Sequence, residues 1–494
     1  MWFRIPVYNA QMTKYRLPLL ILSLCLICTT NTSIAKEVDL PDIGDSGAAL
    51  LTPAQERRVG EAVMHNLRRA GMIVDDPIAT AYLNQLGYRL LAQRENPDQT
   101  KFTFFLVNDK SINAFALPGG FIGINYGLVM ETDSEDELAA VLAHEISHVT
   151  QRHYARAYGA SSSSELPVIA AIIAAIVLGA HGNADIGQAA IATAAGASAQ
   201  HQITFTRHNE EEADRIGIQL LAKAGFDPEM MAEFFEKLDK ESRLYGSNIP
   251  AFLLDHPVNS ERITDARNRA DQLPRPKPHD ELMYLLMRDR IIAESGSDKE
   301  ATVKKFQIKI NNTQGEQQIA ARYGYVLSLI RAENYAEARN QIDILLQHDP
   351  QRIAFLLVKA EIDLRSGKIP TAIKTYEKAL QIYPANSALT YDYANALLQE
   401  RQYQKAETVL NTFLKVPTDN PNFYQLLARA TTKTGKPADA HEALAEYYYQ
   451  IGQLHQAIDQ INLALKTKNL DFYTNARLEA QLARIKEEVP KEGK

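Results

Sequence analysis

A strict 34-residue period in the C-terminal half of the chain limits what that half can fold into. Two sets of alanines recur at this step, one at Ala338, Ala372, Ala406 and Ala440 and the other at Ala360, Ala394 and Ala428. Small residues at a fixed period mark places where paired helices approach closely, and 34 residues is the length of one helix–turn–helix unit. The period therefore predicts an α-solenoid of stacked helix pairs.

This period is that of tetratricopeptide repeats, and the unit at 356–384 follows the pattern most clearly. Ala457 follows Ala440 by only half a repeat, so helices near 437–450 and 454–466 are expected to pack on as a cap. We expect the repeat domain to cover residues 311–487. Such arrays present a concave groove that binds peptides or protein partners, and they carry no chemistry of their own.

The N-terminus is typical of a secretory signal peptide. Basic residues precede the apolar run LPLLILSLCLIC, and Ser33-Ile34-Ala35 supplies small residues for cleavage after Ala35. Both cysteines lie inside residues 1–35, so the mature chain is expected to hold no thiol and no disulfide. The sequence therefore predicts export to the periplasm.

Charge and hydropathy exclude some partners. The net charge of −7 argues against a nucleic-acid binder, because phosphate contacts need a basic face. The apolar run 166–180 is shorter than the roughly 20 residues that a membrane-spanning helix needs. It is either a buried core helix or, with 186–200, a hairpin that contacts lipid peripherally or covers the cleft. The sequence favours neither interpretation.

Residues 36–272 are expected to form a domain that mixes helices with a small sheet. TPAQERRVGEAVMHNLRRAG (52–71) predicts a helix and FTFFLV (102–107) a strand. Residues 113–129 read as a hairpin or an irregular edge strand, and a helix opens at Ser134. Pro-rich LPRPKPHD (273–280) begins a linker with connecting helices up to residue 310. The fold class is thus α+β, mostly α, followed by the solenoid.

The stretch LAHEISHVTQRH (142–153) carries the chemistry. His144 and His148 are one helical turn apart, so both imidazoles can reach one ion, and zinc accepts such nitrogens. Glu145 lies on the same side and can act as the general base on a water whose pKa zinc lowers. The pattern predicts one zinc ion per chain in a peptidase site. A purely structural zinc site would leave Glu145 without a task.

A catalytic zinc needs a third protein ligand, and RHNEEEADRIG (207–217) offers one. Glu210 and Asp214 are four residues apart, so Glu210 can bind the metal while Asp214 accepts the spare N–H of a ligating histidine. His201 and His208 are rival ligands. We expect Glu211 and Glu212 to lie on a solvated face.

HEISH followed by E-x-x-A-D resembles the gluzincin metallopeptidases of the HtpX and CaaX prenyl protease class. The resemblance implies a gluzincin-type fold, zinc at His144, His148 and Glu210, and Glu145 as general base. With a signal peptide and C-terminal repeats, the chain is similar to periplasmic members of the class. That similarity implies a role in clearing or helping stalled outer-membrane β-barrel proteins, with their assembly machinery as partner.

Two further segments are candidates for the site. LLDHPVNSER (253–262) also resembles a segment of this class. His256 in it is expected to bond the tetrahedral oxyanion or to occupy the open zinc position and hold the enzyme latent; a capping or core histidine is the alternative. The edge segment Asn113, Ala114, Phe115 and Ala116 is expected to bind substrate by main-chain hydrogen bonds. A chaperone or adaptor with a latent site remains the rival function.

Overall fold

The computed structural model describes residues 51–159, 207–245 and 250–489, apart from residues 96, 98 and 417. The predicted signal peptide with its cleavage after Ala35, the apolar run 166–180, the segment 186–200 and His201 lie outside the described residues. Within the described ranges, no helix is long and apolar enough to cross a membrane.

The N-terminal part combines helices with one small sheet. Its elements are α1 (Pro53–Arg69), α2 (Pro77–Leu91), β1 (Thr103–Val107), β2 (Ala114–Leu117), β3 (Phe121–Asn125), α3 (Tyr126–Glu131), α4 (Glu135–Thr150), α5 (His153–Gly159), α6 (Arg207–Ala224), α7 (Met230–Tyr245), α8 (Ala251–Asp255) and α9 (Ser260–Ala270). The predicted helix at 52–71 and strand at 102–107 are therefore present as α1 and β1.

The sheet has the strand order β1-β3-β2, so β2 lies at an edge. β1 pairs with β3 in parallel, and β2 pairs with β3 antiparallel, with Ala114 opposite Ile124 and Leu117 opposite Phe121. Gly119 and Gly120 form the turn between β2 and β3 with φ of 78° and 90°, a backbone region that glycine adopts without strain. Of the two alternatives that the sequence left open for residues 113–129, the structure has the hairpin, with an edge strand as its first half. The hairpin ends at Asn125, because residues 126–129 already belong to α3.

Helix α4 is buried in the centre of this domain. Ser134 caps it by accepting a hydrogen bond from the Glu137 N–H, and acidic residues in its first turn suit the positive end of the helix. Helix α6 packs closely on α4 because Gly217 has no side chain there. A Cβ at Gly217 would lie 3.2 Å from the carbonyl carbon of Ala143 and 3.2 Å from the backbone nitrogen of His144. This close approach brings Glu210, two turns before Gly217, to the histidines of α4.

The C-terminal part is a stack of helix pairs, as predicted. Its elements are α10 (Leu282–Ser295), α11 (Lys299–Asn312), α12 (Gly315–Arg331), α13 (Tyr335–His348), α14 (Ile353–Arg365), α15 (Ile369–Ile382), α16 (Ser387–Gln399), α17 (Tyr403–Phe413), α18 (Asn422–Lys433), α19 (Pro437–Gln450), α20 (Leu454–Leu465) and α21 (Phe472–Glu488). The periodic alanines are all buried. The expected cap helices are present as α19 and α20, and α21 packs on α20.

The repeat array and the N-terminal part share one hydrophobic core. A single cluster of buried residues runs from Ala79 in α2 through Leu286 in α10 and Val326 in α12 to Ile362 in α14. The far end of the array returns to the N-terminal part, where Arg68 Nη1 donates to the Gln450 carbonyl at 3.0 Å. The array is therefore fixed to the N-terminal part at both of its ends.

Candidate metal centre

Four buried side chains converge at the centre of the N-terminal part. Helix α4 supplies His144 and His148, α6 supplies Glu210, and His256 follows directly after α8. One potential ligand atom from each of the four lies within 4.8 Å of the others. The structure thus brings together the three ligands that the sequence proposed and places His256 beside them.

The spacing of these atoms fits a tetrahedral metal ion. His144 Nε2 lies 3.0 Å from His148 Nε2 and 3.4 Å from Glu210 Oε2, and His148 Nε2 lies 3.5 Å from Glu210 Oε1. His256 Nδ1 lies 3.3 Å from His144 Nε2 and 3.1 Å from Glu210 Oε1. Ligand atoms bound to zinc at roughly 2.0–2.1 Å in a tetrahedron lie about 3.3 Å apart. The residues present therefore fit a zinc ion with four protein ligands.

Glu145 lies next to this cluster without a hydrogen bond. Both of its carboxylate oxygens are buried and have no hydrogen-bond partner among the described residues, although His256 Nε2 lies 3.4 Å from Oε1. Burial raises the pKa of the Glu145 carboxyl. Buried polar atoms without partners are rare, and a catalytic role or a bound water or ion is the usual explanation.

Charged groups around the cluster contact these candidate ligands. His144 Nδ1 lies 2.9 Å from Asp214 Oδ1, the neighbour that the sequence proposed. Arg262 donates from Nε and Nη2 to the two oxygens of Asp214 at 2.8 and 2.9 Å, and its Nη1 lies 3.0 Å from Glu210 Oε2. Arg262 was not singled out from the sequence, although it ends the segment LLDHPVNSER. An arginine fork matches a carboxylate and fixes its orientation.

The charges inside this buried cluster are unusual. Burial lowers the pKa of His144, but Asp214 and Glu210 outweigh this effect and raise it to about 10. Burial raises the pKa of Glu210, but His256 and His148 hold it well below its usual value. The pocket therefore favours the ionised form of the Glu210 carboxylate, which is the form that binds a divalent cation.

His148 has its own outer neighbours on α5 and α6. Its Nδ1 lies 2.8 Å from His153 Nδ1, and His153 Nε2 lies 3.1 Å from Glu212 Oε2. Burial lowers the pKa of His153 to about 4, so its ring is neutral at pH 7. The prediction that Glu212 lies on a solvated face was wrong, because α5 folds against it. Its neighbour Glu211 pairs with Arg207 at the surface, as expected.

His208 is exposed and is not part of the cluster of four. The rival ligand role that the sequence left open for it therefore has no support. His201, the other rival, lies outside the described residues.

The edge strand β2 lies against α4. Asn113, just before the strand, donates from Nδ2 to Asp255 Oδ2 at 2.9 Å and so connects it to the segment that carries His256. Ala114, Phe115 and Ala116 belong to β2 and are buried. A cleft of about 460 Å³ opens at the end of the strand, lined by Leu117, Pro118, Gly119 and His148 among others. The cleft therefore connects the end of β2 to His148, one of the candidate metal ligands.

The sequence matches known protein families along most of these elements. Residues 77–270 match peptidase family M48, and residues 325–387 and 363–430 match tetratricopeptide repeats. The fold and the site therefore define a metallopeptidase with a repeat array, and the resemblance drawn from HEISH is confirmed.

Curated relatives extend the match to nearly the whole chain. A beta-barrel assembly-enhancing protease of Yersinia pestis is 38% identical over 90% of this chain and 91% of its own length. One of Escherichia coli K12 is 36% identical over 91% of both chains. A putative one of Vibrio cholerae is 36% identical over 94% of this chain and 96% of its own. The chain belongs to the family of beta-barrel assembly-enhancing proteases.

Proposed function

We propose that the protein is a periplasmic zinc endopeptidase that degrades or assists misassembled outer-membrane β-barrel proteins. The observation that carries the proposal is the tetrahedral spacing of donor atoms around His144, His148 and Glu210, with Glu145 buried beside them. The relatives are named for β-barrel assembly. The names of the bacterial relatives support a location in the periplasm. The proposal includes cleavage of the predicted signal peptide after Ala35 and a location peripheral to the outer membrane.

In this proposal His144, His148 and Glu210 hold the zinc ion, and Asp214 orients His144. Zinc bound there supplies Lewis acidity that lowers the pKa of a water molecule toward 7. Glu145 accepts the proton of that water and passes it to the leaving amine, for which a carboxyl with a raised pKa is well suited. The edge of β2 holds an extended client by main-chain hydrogen bonds, which suits unfolded substrates of varied sequence.

His256 is proposed to hold this site latent. Its Nδ1 lies at the fourth corner of the donor set, where a peptidase needs an open position for water. This position favours latency over the oxyanion role. We expect His256→Ala to raise peptidase activity and to leave zinc binding in place, since three ligands remain. His208→Ala, which removes an exposed histidine on α6, is the matched control. A loss of activity in His256→Ala would instead support the oxyanion role.

The repeat array is proposed to dock clients or the assembly machinery and to raise their concentration near the cleft. The rival function is that of a chaperone or adaptor with a largely latent protease site. Glu145→Gln separates the two, because a chaperone would keep its biological role in this variant while substitutions in the repeat groove would abolish it.

The first test uses the chain from Lys36 onward with an unfolded model protein, with and without a chelator. We expect chelator-sensitive cleavage that is slow in the wild type, because His256 partly blocks the site, and faster in His256→Ala. Glu145→Gln should lower the cleavage rate by roughly 10²- to 10⁴-fold. Uncut substrate in every sample, with one zinc still bound per chain, would favour latency or the chaperone role. Uncut substrate without bound zinc would refute the metal site itself.

A further inference from the structure

The imidazole of His148 contacts a chain of side chains that the peptidase mechanism above does not use. His148 Nδ1 lies 2.8 Å from His153 Nδ1, and His153 Nε2 lies 3.1 Å from Glu212 Oε2. Arg156 donates to the same oxygen of Glu212 from Nη2 at 2.6 Å. Both histidines are completely buried, whereas Arg156 reaches the surface. The chain therefore runs from the candidate metal centre outward to an ion pair.

An unusual backbone turn creates this contact. Residues five apart in an uninterrupted helix point roughly 140° away from each other, so His153 could not lie beneath His148 if α4 simply continued. Instead α4 ends at Thr150, and Arg152 adopts a φ of 53° before α5 begins at His153. A residue other than glycine pays about 1–2 kcal/mol for this conformation. Arg152 is held there by an ion pair with Glu56 at 3.2 Å.

Only one arrangement of protons satisfies every contact in the chain once His148 binds metal through Nε2. Its Nδ1 must then carry the proton and donate to His153 Nδ1. His153 in turn carries its proton on Nε2 and donates to Glu212. The reverse arrangement would place a lone pair of His153 against the Glu212 carboxylate, which is unfavourable. Arg156 stabilises the ionised form of Glu212 and so favours the first arrangement.

We propose that His153 is a positioning residue, which fixes the tautomer and ring orientation of His148 and is itself held by Glu212. It does for His148 what Asp214 does for His144, with a neutral ring between the ligand and the carboxylate. Mutation of a residue that holds a metal ligand in this way typically lowers metal affinity or activity by about 10- to 100-fold. The proposal rests on the proposed role of His148 as a metal ligand.

The test measures zinc affinity of the purified full-length mature protein by competition with a chromophoric chelator. His153→Phe keeps a ring but removes both nitrogens, and we expect it to weaken zinc binding about 10- to 100-fold. His153→Asn keeps a short acceptor and should recover part of this loss. Glu212→Gln should weaken binding less than His153→Phe, because its amide oxygen still accepts from His153. Glu211→Gln, one residue away and paired with surface Arg207, is the matched control.

Two further readouts separate positioning from a general loss of structure. Cobalt substituted for zinc should show shifted visible absorption bands in the His153 variants, since the geometry around His148 changes. The unfolding temperature of metal-free His153→Asn should stay close to that of the metal-free wild type. Zinc affinity and cobalt spectrum unchanged in His153→Phe would overturn the proposal. If instead wild type and His148→Ala bind zinc equally weakly, the metal site itself is wrong.

Discussion

Asp392 is expected to lower the stability of the protein at neutral pH. It lies on α16 and lines a cavity of about 610 Å³ between the start of α2 and the repeat helices α14 to α16. Its carboxylate forms no hydrogen bond or ion pair with the described residues. Burial and the neighbouring carboxylates of Glu361 and Asp76 raise its pKa to about 7, and Arg290 only partly offsets them. Asp392→Asn keeps the size of the side chain and removes the charge.

The expected effect depends on pH in a defined direction. Asp392 has a pKa of about 7 in the folded state against 3.8 as the reference value, so the folded state binds a proton between these values and the unfolded state does not. Stability should therefore fall as pH rises from about 4 to about 7. Each pKa unit corresponds to about 1.4 kcal/mol, which gives an upper limit of about 4 kcal/mol. Water in the cavity reduces this figure.

The assay compares urea unfolding midpoints of wild type and Asp392→Asn at pH 4.5 and at pH 8. We expect little difference at pH 4.5 and a more stable variant at pH 8. Asp343→Asn, on the exposed face of α13, is the matched control. Glu361→Gln should reproduce part of the gain, because it removes one of the charges that raise the pKa of Asp392. If the difference in stability between Asp392→Asn and wild type is the same at pH 4.5 and at pH 8, the reasoning is refuted.

Two further predictions concern the contact between the repeat array and α1, and a third concerns the candidate metal site. Gly452→Ala should lower the unfolding temperature more than Gly435→Ala: both glycines have positive φ, but only at Gly452 would a Cβ meet another side chain, His65 Cβ at 2.4 Å. Equal losses would contradict the contact. Burial, and after it the charge of Arg68, lower the pKa of His65 to about 4. The stability that neutral His65 contributes should therefore be present above pH 6.5 and lost as pH falls toward 4. In His65→Gln, the unfolding temperature should depend less on pH over this range. Chelation should lower the unfolding temperature of wild type but not of His148→Ala, since bound metal stabilises only the folded state.

The repeat array could be predicted in detail because its signal is periodic. Each alanine at the 34-residue step is buried between helices, so one residue type reports one packing position. The half-repeat slip at Ala457 even located the cap helices α19 and α20. The 34-residue period does not predict the contact of Arg68 with Gln450, because these residues lie 382 positions apart and no local pattern connects them.

The candidate site could be predicted where the spacing of residues within a helix, or a resemblance to known peptidases, marks the residues. HEISH places His144 and His148 by helical geometry alone, and the E-x-x-A-D pattern adds Glu210 and Asp214. The positions of Arg262 and Glu212 depend on how α9 and α5 fold against α6, which no local pattern encodes. The turn at Arg152 is the clearest case, because nothing in Thr-Gln-Arg-His marks a left-handed residue, and this turn alone brings His153 under His148.

The single core that runs from α2 through α10 to α14 has a consequence for how the molecule can be divided. Cutting the chain in the Pro-rich segment 273–280 would leave α10 with Leu286 on one fragment and its partners in α2 and α3 on the other. Both fragments would then expose apolar surface to water, and they would aggregate or reassociate with each other. Peptidase and repeats therefore form one compact unit, and neither part is expected to fold stably without the other.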